Sequence, residues 1–171
     1  SVVEALVADP AKEEDFSRLR EIFRQPSLQM ATFTITEKGY SLKNAAGEYL
    51  DAVAADMEAG PEKPVSYIGK VSSLLYERFL AGELPIAMVS MDNCSHNGDK
   101  LCAAISAYAE TWDKKGLVKE GFAAYVSGKK VSFPWTMIDK ITPRPDETVK
   151  GILLNDGIED LDQIVTSKKT Y

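Results

Sequence analysis

The apolar positions of this chain change period several times, and each change predicts an element. From residue 13 to 24 (EEDFSRLREIFR), Phe16, Leu19, Ile22 and Phe23 recur at helical spacing. Acids lead that stretch and Arg24 trails it, an order that suits the helix dipole, and Pro26 stops the helix. Residues 28–35 (LQMATFTI) alternate and become β-rich, which predicts a strand running into Thr36-Glu37-Lys38-Gly39-Tyr40, where Gly39 marks a turn. Residues 44–63 are rich in alanine, glycine and acids, show little periodicity, and read as a surface excursion. The helical period returns at 66–81 with Ile68, Val71, Leu74, Leu75 and Leu80 inward, Ser66 as N-cap and Gly82 at the end.

After Pro85 the run Ile86-Ala87-Met88-Val89-Ser90-Met91 is short, apolar and bounded by turn residues, as a buried parallel strand should be. The polar loop Asp92-Asn93-Cys94-Ser95-His96-Asn97-Gly98 leads into a helix that runs to about Trp112. A further helix near 117–127 precedes a strand near 130–133, Thr142-Pro143-Arg144-Pro145 breaks the chain, and a short helix over 146–154 ends at Gly157. There is no repeat and no low-complexity linker. Helix and strand alternate throughout, which predicts an α/β fold with a mostly parallel sheet flanked by helices, in one domain over residues 1–171.

Composition narrows the function classes. With 171 residues the chain is long enough to bury a core, and 44% hydrophobic against 27% charged residues is ordinary for a globular protein. A net charge of −6 argues against a nucleic-acid surface, which needs clustered cations. The apolar runs are too short and too broken by charge to cross a membrane as helices, and no secretory leader opens the sequence. Cys94 and Cys102 are too few for a disulfide framework and read as free thiols in a reducing cytoplasm.

In a parallel sheet, ligands gather outside the carboxyl ends of the strands. The three loops that follow the predicted strands, Thr36–Tyr40, Asp92–Gly98 and Met137–Lys140, should therefore open on one edge. Asn97 stands where a helix begins, so its amide could cap the helix or donate to an oxygen in the cleft, where a carboxamide can stabilise a developing alkoxide, or the two roles could fall separately to Asn93 and Asn97. Asp139, between apolar neighbours, is either ion-paired to Lys140 or Arg144 or orients a neighbour at the site. Glu37 with Lys38 is either a loop ion pair or a polar gate near the ligand. Asp92, Cys94, His96 and Cys102 have acceptable metal-ligand chemistry without paired metal-binding spacing, so no metal is expected. Cys94 and His96, two apart on a loop, are poorly placed for nucleophilic catalysis. No G-x-G-x-x-G and no P-loop occurs.

Three stretches carry a resemblance. Thr34-Ile35-Thr36-Glu37-Lys38-Gly39-Tyr40, then Met91-Asp92-Asn93 with Asn97-Gly98-Asp99, then Phe133-Pro134-Trp135-Thr136-Met137-Ile138-Asp139-Lys140-Ile141-Thr142-Pro143 occur in that order. Together they resemble the mannitol dehydrogenase family of long-chain polyol dehydrogenases, which includes fructuronate reductases (mannonate oxidoreductases), tagaturonate reductases and mannitol dehydrogenases. The resemblance implies a metal-independent, NAD-dependent cytoplasmic oxidoreductase that interconverts a keto-sugar acid or ketose and its polyol form. It implies Asn97 at the reacting oxygen, Asp139 bordering the substrate, and Asp92, Asn93 and Glu37 on the cofactor side of the cleft. The family's glycine-rich fingerprint and its Lys–Asn–His helix have no counterpart here. The expectation is thus part of a Rossmann-like domain, lacking the first βαβ unit and the helical C-terminal domain. Its partners would be a sugar or sugar-acid substrate and the remainder of a parent polypeptide, with no activity of this chain alone. The rival expectation is a non-catalytic binding or scaffold domain that keeps only the fold.

Overall fold

The computed structural model describes residues 2–139 and 146–162, and it divides into two compact units, residues 1–138 and 139–171. The first unit holds helix α1 (Glu13–Arg24), strand β1 (Met30–Phe33), helices α2 (Thr36–Gly39), α3 (Asp51–Ala59) and α4 (Tyr67–Leu80), strand β2 (Ile86–Ser90), helices α5 (Asn97–Lys114) and α6 (Phe122–Ser127), and strand β3 (Val131–Ser132). The second holds helix α7 (Glu147–Asn155), whose N-cap Asp146 accepts from the amides of Thr148 (2.8 Å) and Val149 (3.2 Å). Gly157 follows α7 at positive φ, as expected at a helix end. The break at Thr142–Pro145 lies outside the described residues.

The strands form one parallel sheet in the order β1-β2-β3, with Met30 opposite Ala87 and Ile86 opposite Val131. Parallel neighbours need long crossovers, and here helices supply them: α2, α3 and α4 between β1 and β2, α5 and α6 between β2 and β3. Central β2 is covered on both faces, which is why its sequence is a continuous apolar run. Leu75, Met88, Leu101, Ile105, Tyr108, Trp112 and Phe122 make the middle of the core. Each such side chain contributes about 1.5–3 kcal/mol by leaving water.

Local expectations are corrected: the helix expected near 117–127 is confined to Phe122–Ser127, and Thr36–Gly39, expected as a loop, is helix α2. Leu80 is 49% exposed, and its neighbour Phe79 turns inward instead, against Phe122 and Tyr125. The stretch 44–63 contains α3, a helix that periodicity does not announce. Its Asp56 carboxylate, buried, accepts from the amides of Val65 and Ser66 (each 2.8 Å) and from the Ser66 hydroxyl (2.6 Å). Trp112 donates to the Asp56 carbonyl at 2.9 Å. Tertiary partners therefore hold this helix where its own pattern is weak. Ser66 also caps α4 as expected, accepting from the Gly69 amide at 3.0 Å.

The amino ends of the strands are tied by one residue. Arg78, wholly buried on α4, donates to the carbonyls of Phe23 (2.9 Å), Gln25 (3.0 Å), Leu84 (3.1 Å), Pro85 (2.7 Å) and Leu28. These carbonyls belong to the segments that enter β1 and β2. A planar cation with five donors suits such a cluster of orphan acceptors.

Candidate active-site rim

The parallel sheet brings the segments after β1, β2 and β3, up to Ile138, to one edge, whereas Asp139 belongs to the second unit and Lys140 lies outside the described residues. Two side chains from the middle loop fasten the others. Asp92, 6% exposed, accepts from the amides of Ile35 (3.0 Å) and Thr36 (2.9 Å) and from the Tyr40 hydroxyl. The Tyr40 hydroxyl also meets Ser90 Oγ at 2.6 Å. Burial pushes the Asp92 carboxyl pKa upward, but the Tyr40 hydroxyl and then the two amides outweigh it and hold the value below the usual carboxylate range. Burial, reinforced by the Asp92 charge, pushes Tyr40 well above the ordinary phenol value. The same carboxylate holds Thr36 at φ 65°, a left-handed conformation that costs a β-branched residue about 1–3 kcal/mol.

Asn97 fastens the third loop. Its carboxamide oxygen accepts from the amides of Gly98 (2.8 Å) and Thr136 (3.1 Å). Its nitrogen donates to the Asp92 carbonyl (3.1 Å), the Thr136 carbonyl (3.1 Å) and Thr136 Oγ1 (2.7 Å). The Thr136 hydroxyl in turn donates to the Ser90 carbonyl at 2.6 Å, so towards Asn97 it is an acceptor. A glycine must follow Asn97, because a Cβ at position 98 would lie 2.8 Å from the Pro134 carbonyl oxygen and 2.9 Å from Trp135 Cδ1.

Asn97 is 1% exposed and both of its amide hydrogens are committed inside the chain. Asp92 is committed likewise. The residue between them, Asn93, is exposed, and among the described residues its carboxamide makes no hydrogen bond. It lines a hollow of about 470 Å³ together with Cys94, His96, Trp135, Met137 and Ile138. His96 stacks on Trp135 with ring centroids 4.2 Å apart, and Trp135 donates to Asp99 at 2.9 Å. Glu37 stands on the exposed side of α2, paired with Lys100 at 3.2 Å, and lines a separate cleft of about 730 Å³ with Tyr40, Lys43, Tyr49 and Lys100. Asp139 is exposed at the start of the second unit. Cys94 and Cys102 are free thiols. Among the described residues, no group of three His, Cys, Asp or Glu side chains gathers as metal ligands do, and no helix is long and apolar enough to cross a membrane.

Sequence reasoning gave Asn97 its place on this rim. It named Asn93 separately, on the cofactor side of the cleft, and gave no role to Thr136 or Tyr40. The signal for Thr136 was its position in the longest of the three matching stretches.

A parallel sheet flanked by helices, with polar loops converging on its carboxyl edge, defines a Rossmann-type α/β domain. The chain belongs to the mannitol dehydrogenase family: the model of the mannitol dehydrogenase Rossmann domain matches residues 3–170. A D-mannonate oxidoreductase of Thermotoga maritima is 51% identical over all 171 residues, which correspond to 31% of that protein. A mannitol 2-dehydrogenase of Cereibacter sphaeroides is 29% identical over 92% of this chain and 32% of its own length. Among solved structures, the Pseudomonas fluorescens mannitol 2-dehydrogenase in ternary complex with NAD and D-mannitol matches with a TM-score of 0.64. That match has 28% identity and covers 91% of this chain and 30% of that one. The chain thus spans about a third of the length of the curated relatives it matches.

Proposed function

We propose that this chain forms part of the dinucleotide-binding domain and one wall of the active site in an NAD-dependent oxidoreductase. The enzyme interconverts a keto-sugar acid and its sugar-acid alcohol, of the fructuronate/mannonate type. The likeness to the Thermotoga maritima enzyme over the whole chain supports the sugar-acid substrate. The observation that carries the site is the exposed carboxamide of Asn93 at the carboxyl edge of the parallel sheet, without a partner among the described residues.

In this reading Asn93, rather than saturated Asn97, offers the amide hydrogen to the reacting oxygen, where a neutral donor stabilises charge that develops as the carbonyl is reduced. No cradle of backbone amides for a pyrophosphate is visible in the sequence, so that contact falls to other parts of the enzyme. When bound, NADH supplies the hydride. Asp92 and Asn97 hold the rim in shape, and Glu37 with Lys100 stands at the neighbouring cleft.

The test is turnover by the whole enzyme polypeptide that carries this chain, followed as NADH oxidation against a panel of hexuronates and ketoses. Reduction of a keto-hexuronate ahead of the ketoses is expected. Activity with ketoses alone would move the substrate to the mannitol type, and no NADH oxidation with any of them would leave a binding domain that keeps only the fold.

A further inference from the structure

The Asp92 carbonyl oxygen accepts two hydrogen bonds, from the Cys94 amide at 2.9 Å and from the Asn97 carboxamide at 3.1 Å. The first closes a three-residue turn with Asn93 at its apex. The second braces that turn from the helix side. The peptide groups on both sides of Asn93 are therefore fixed while its side chain stays exposed to the hollow.

Asn97 can brace the turn only if its amide points the right way, and Thr136 decides that. The Thr136 backbone amide requires the Asn97 oxygen (3.1 Å), and the Thr136 carbonyl (3.1 Å) and hydroxyl (2.7 Å) require its nitrogen. The hydroxyl has no freedom to reverse its role, because its hydrogen is given to the Ser90 carbonyl at the end of β2 at 2.6 Å. A fully connected network that is half-buried at Thr136 and buried at Asn97 favours one arrangement over the others.

We propose that Thr136 and Asn97 are positioning residues that together stake the turn presenting Asn93 to the reacting carbonyl. This rests on the reading of the hollow given above. Both also line the hollow, but their side-chain hydrogens are committed inside the chain, to the Asp92 carbonyl and Thr136 Oγ1 for Asn97 and to the Ser90 carbonyl for Thr136, so they act through Asn93.

Thr136→Val keeps the shape of the side chain and removes its hydroxyl, and Thr136→Ser keeps the hydroxyl. In the whole enzyme, the valine variant should lose about tenfold to a hundredfold in kcat with KM for NADH unchanged, as a misplaced reacting group costs. The serine variant should return close to wild type. Adding Asn93→Ala to Thr136→Val should cost little beyond the single changes, since both act on one interaction. Wild-type turnover in Thr136→Val, or losses that simply multiply in the double variant, would overturn the proposal. A crystal structure of Thr136→Val decides independently of activity. A displaced Asn93 turn supports the proposal even if the wild type reduces no keto acid, an outcome that sinks only the assigned reaction. An unmoved turn with Asn97 unchanged overturns it.

Discussion

The two ends of the sheet are fastened by opposite chemistry. At the amino edge a single cation, Arg78, is enclosed by backbone carbonyls, and the polar side chains around it, such as Gln29 and the Glu83–Lys130 pair, lie out on the surface. At the carboxyl edge a carboxylate and a carboxamide, Asp92 and Asn97, take backbone amides and carbonyls from three loops, and Asn93, Thr36 and Trp135 remain exposed around them. Both edges are held, but only at the carboxyl edge do side chains fasten three loops around an exposed carboxamide. Open α/β sheets place ligands at that same edge.

If the amino edge serves stability alone, Arg78→Met should cost the most, about 3–4 kcal/mol, because five carbonyls lose a buried donor at once. Denaturant unfolding that shows a loss below about 1 kcal/mol would erase the contrast, since that is the scale of a single ordinary hydrogen bond. Asp92→Asn should cost less, about 2 kcal/mol at neutral pH, because an amide group then confronts donors that need an acceptor. This loss should depend on pH with a definite sign. The folded-state pKa of Asp92 lies below its unfolded value, so its stabilisation is present above the unfolded value, about 4, and is lost as pH falls through the lower folded value. Wild type should therefore lose part of its advantage over Asp92→Asn below about pH 4, which stability measured across pH would reveal. A constant difference down to low pH would contradict the charge-assisted fastening. The smallest effect belongs to Glu37→Gln. Losing an exposed pair with Lys100 should leave stability unchanged within the error of denaturant unfolding, and a clear loss would give α2 a structural part in the rim.

Where an element's stability came from its own pattern, the sequence was readable. The helix over 13–24, Ser66 as cap of α4, and the run at Ile86 all formed where expected, because apolar spacing and capping act within a few residues. The α3 helix was hidden because its support is the buried Asp56 carboxylate reaching Val65 and Ser66, a contact no local window contains. The exchange of Leu80 for Phe79 at the end of α4 has a related cause. Aromatic neighbours from α6 favour one of two adjacent apolar residues, and they arrive only with the fold.

The rim shows the same division. The residue types at Asp92, Asn93 and Asn97, and their place after a parallel strand, were fixed by the order of amino acids along the chain. Which of the two asparagines keeps a free amide was decided by Thr136, which lies 39 residues beyond Asn97 yet reaches its amide. Hydrogen-bond saturation belongs to groups brought together across loops, so sequence can nominate the donors, but only packing determines which one is left to meet a ligand.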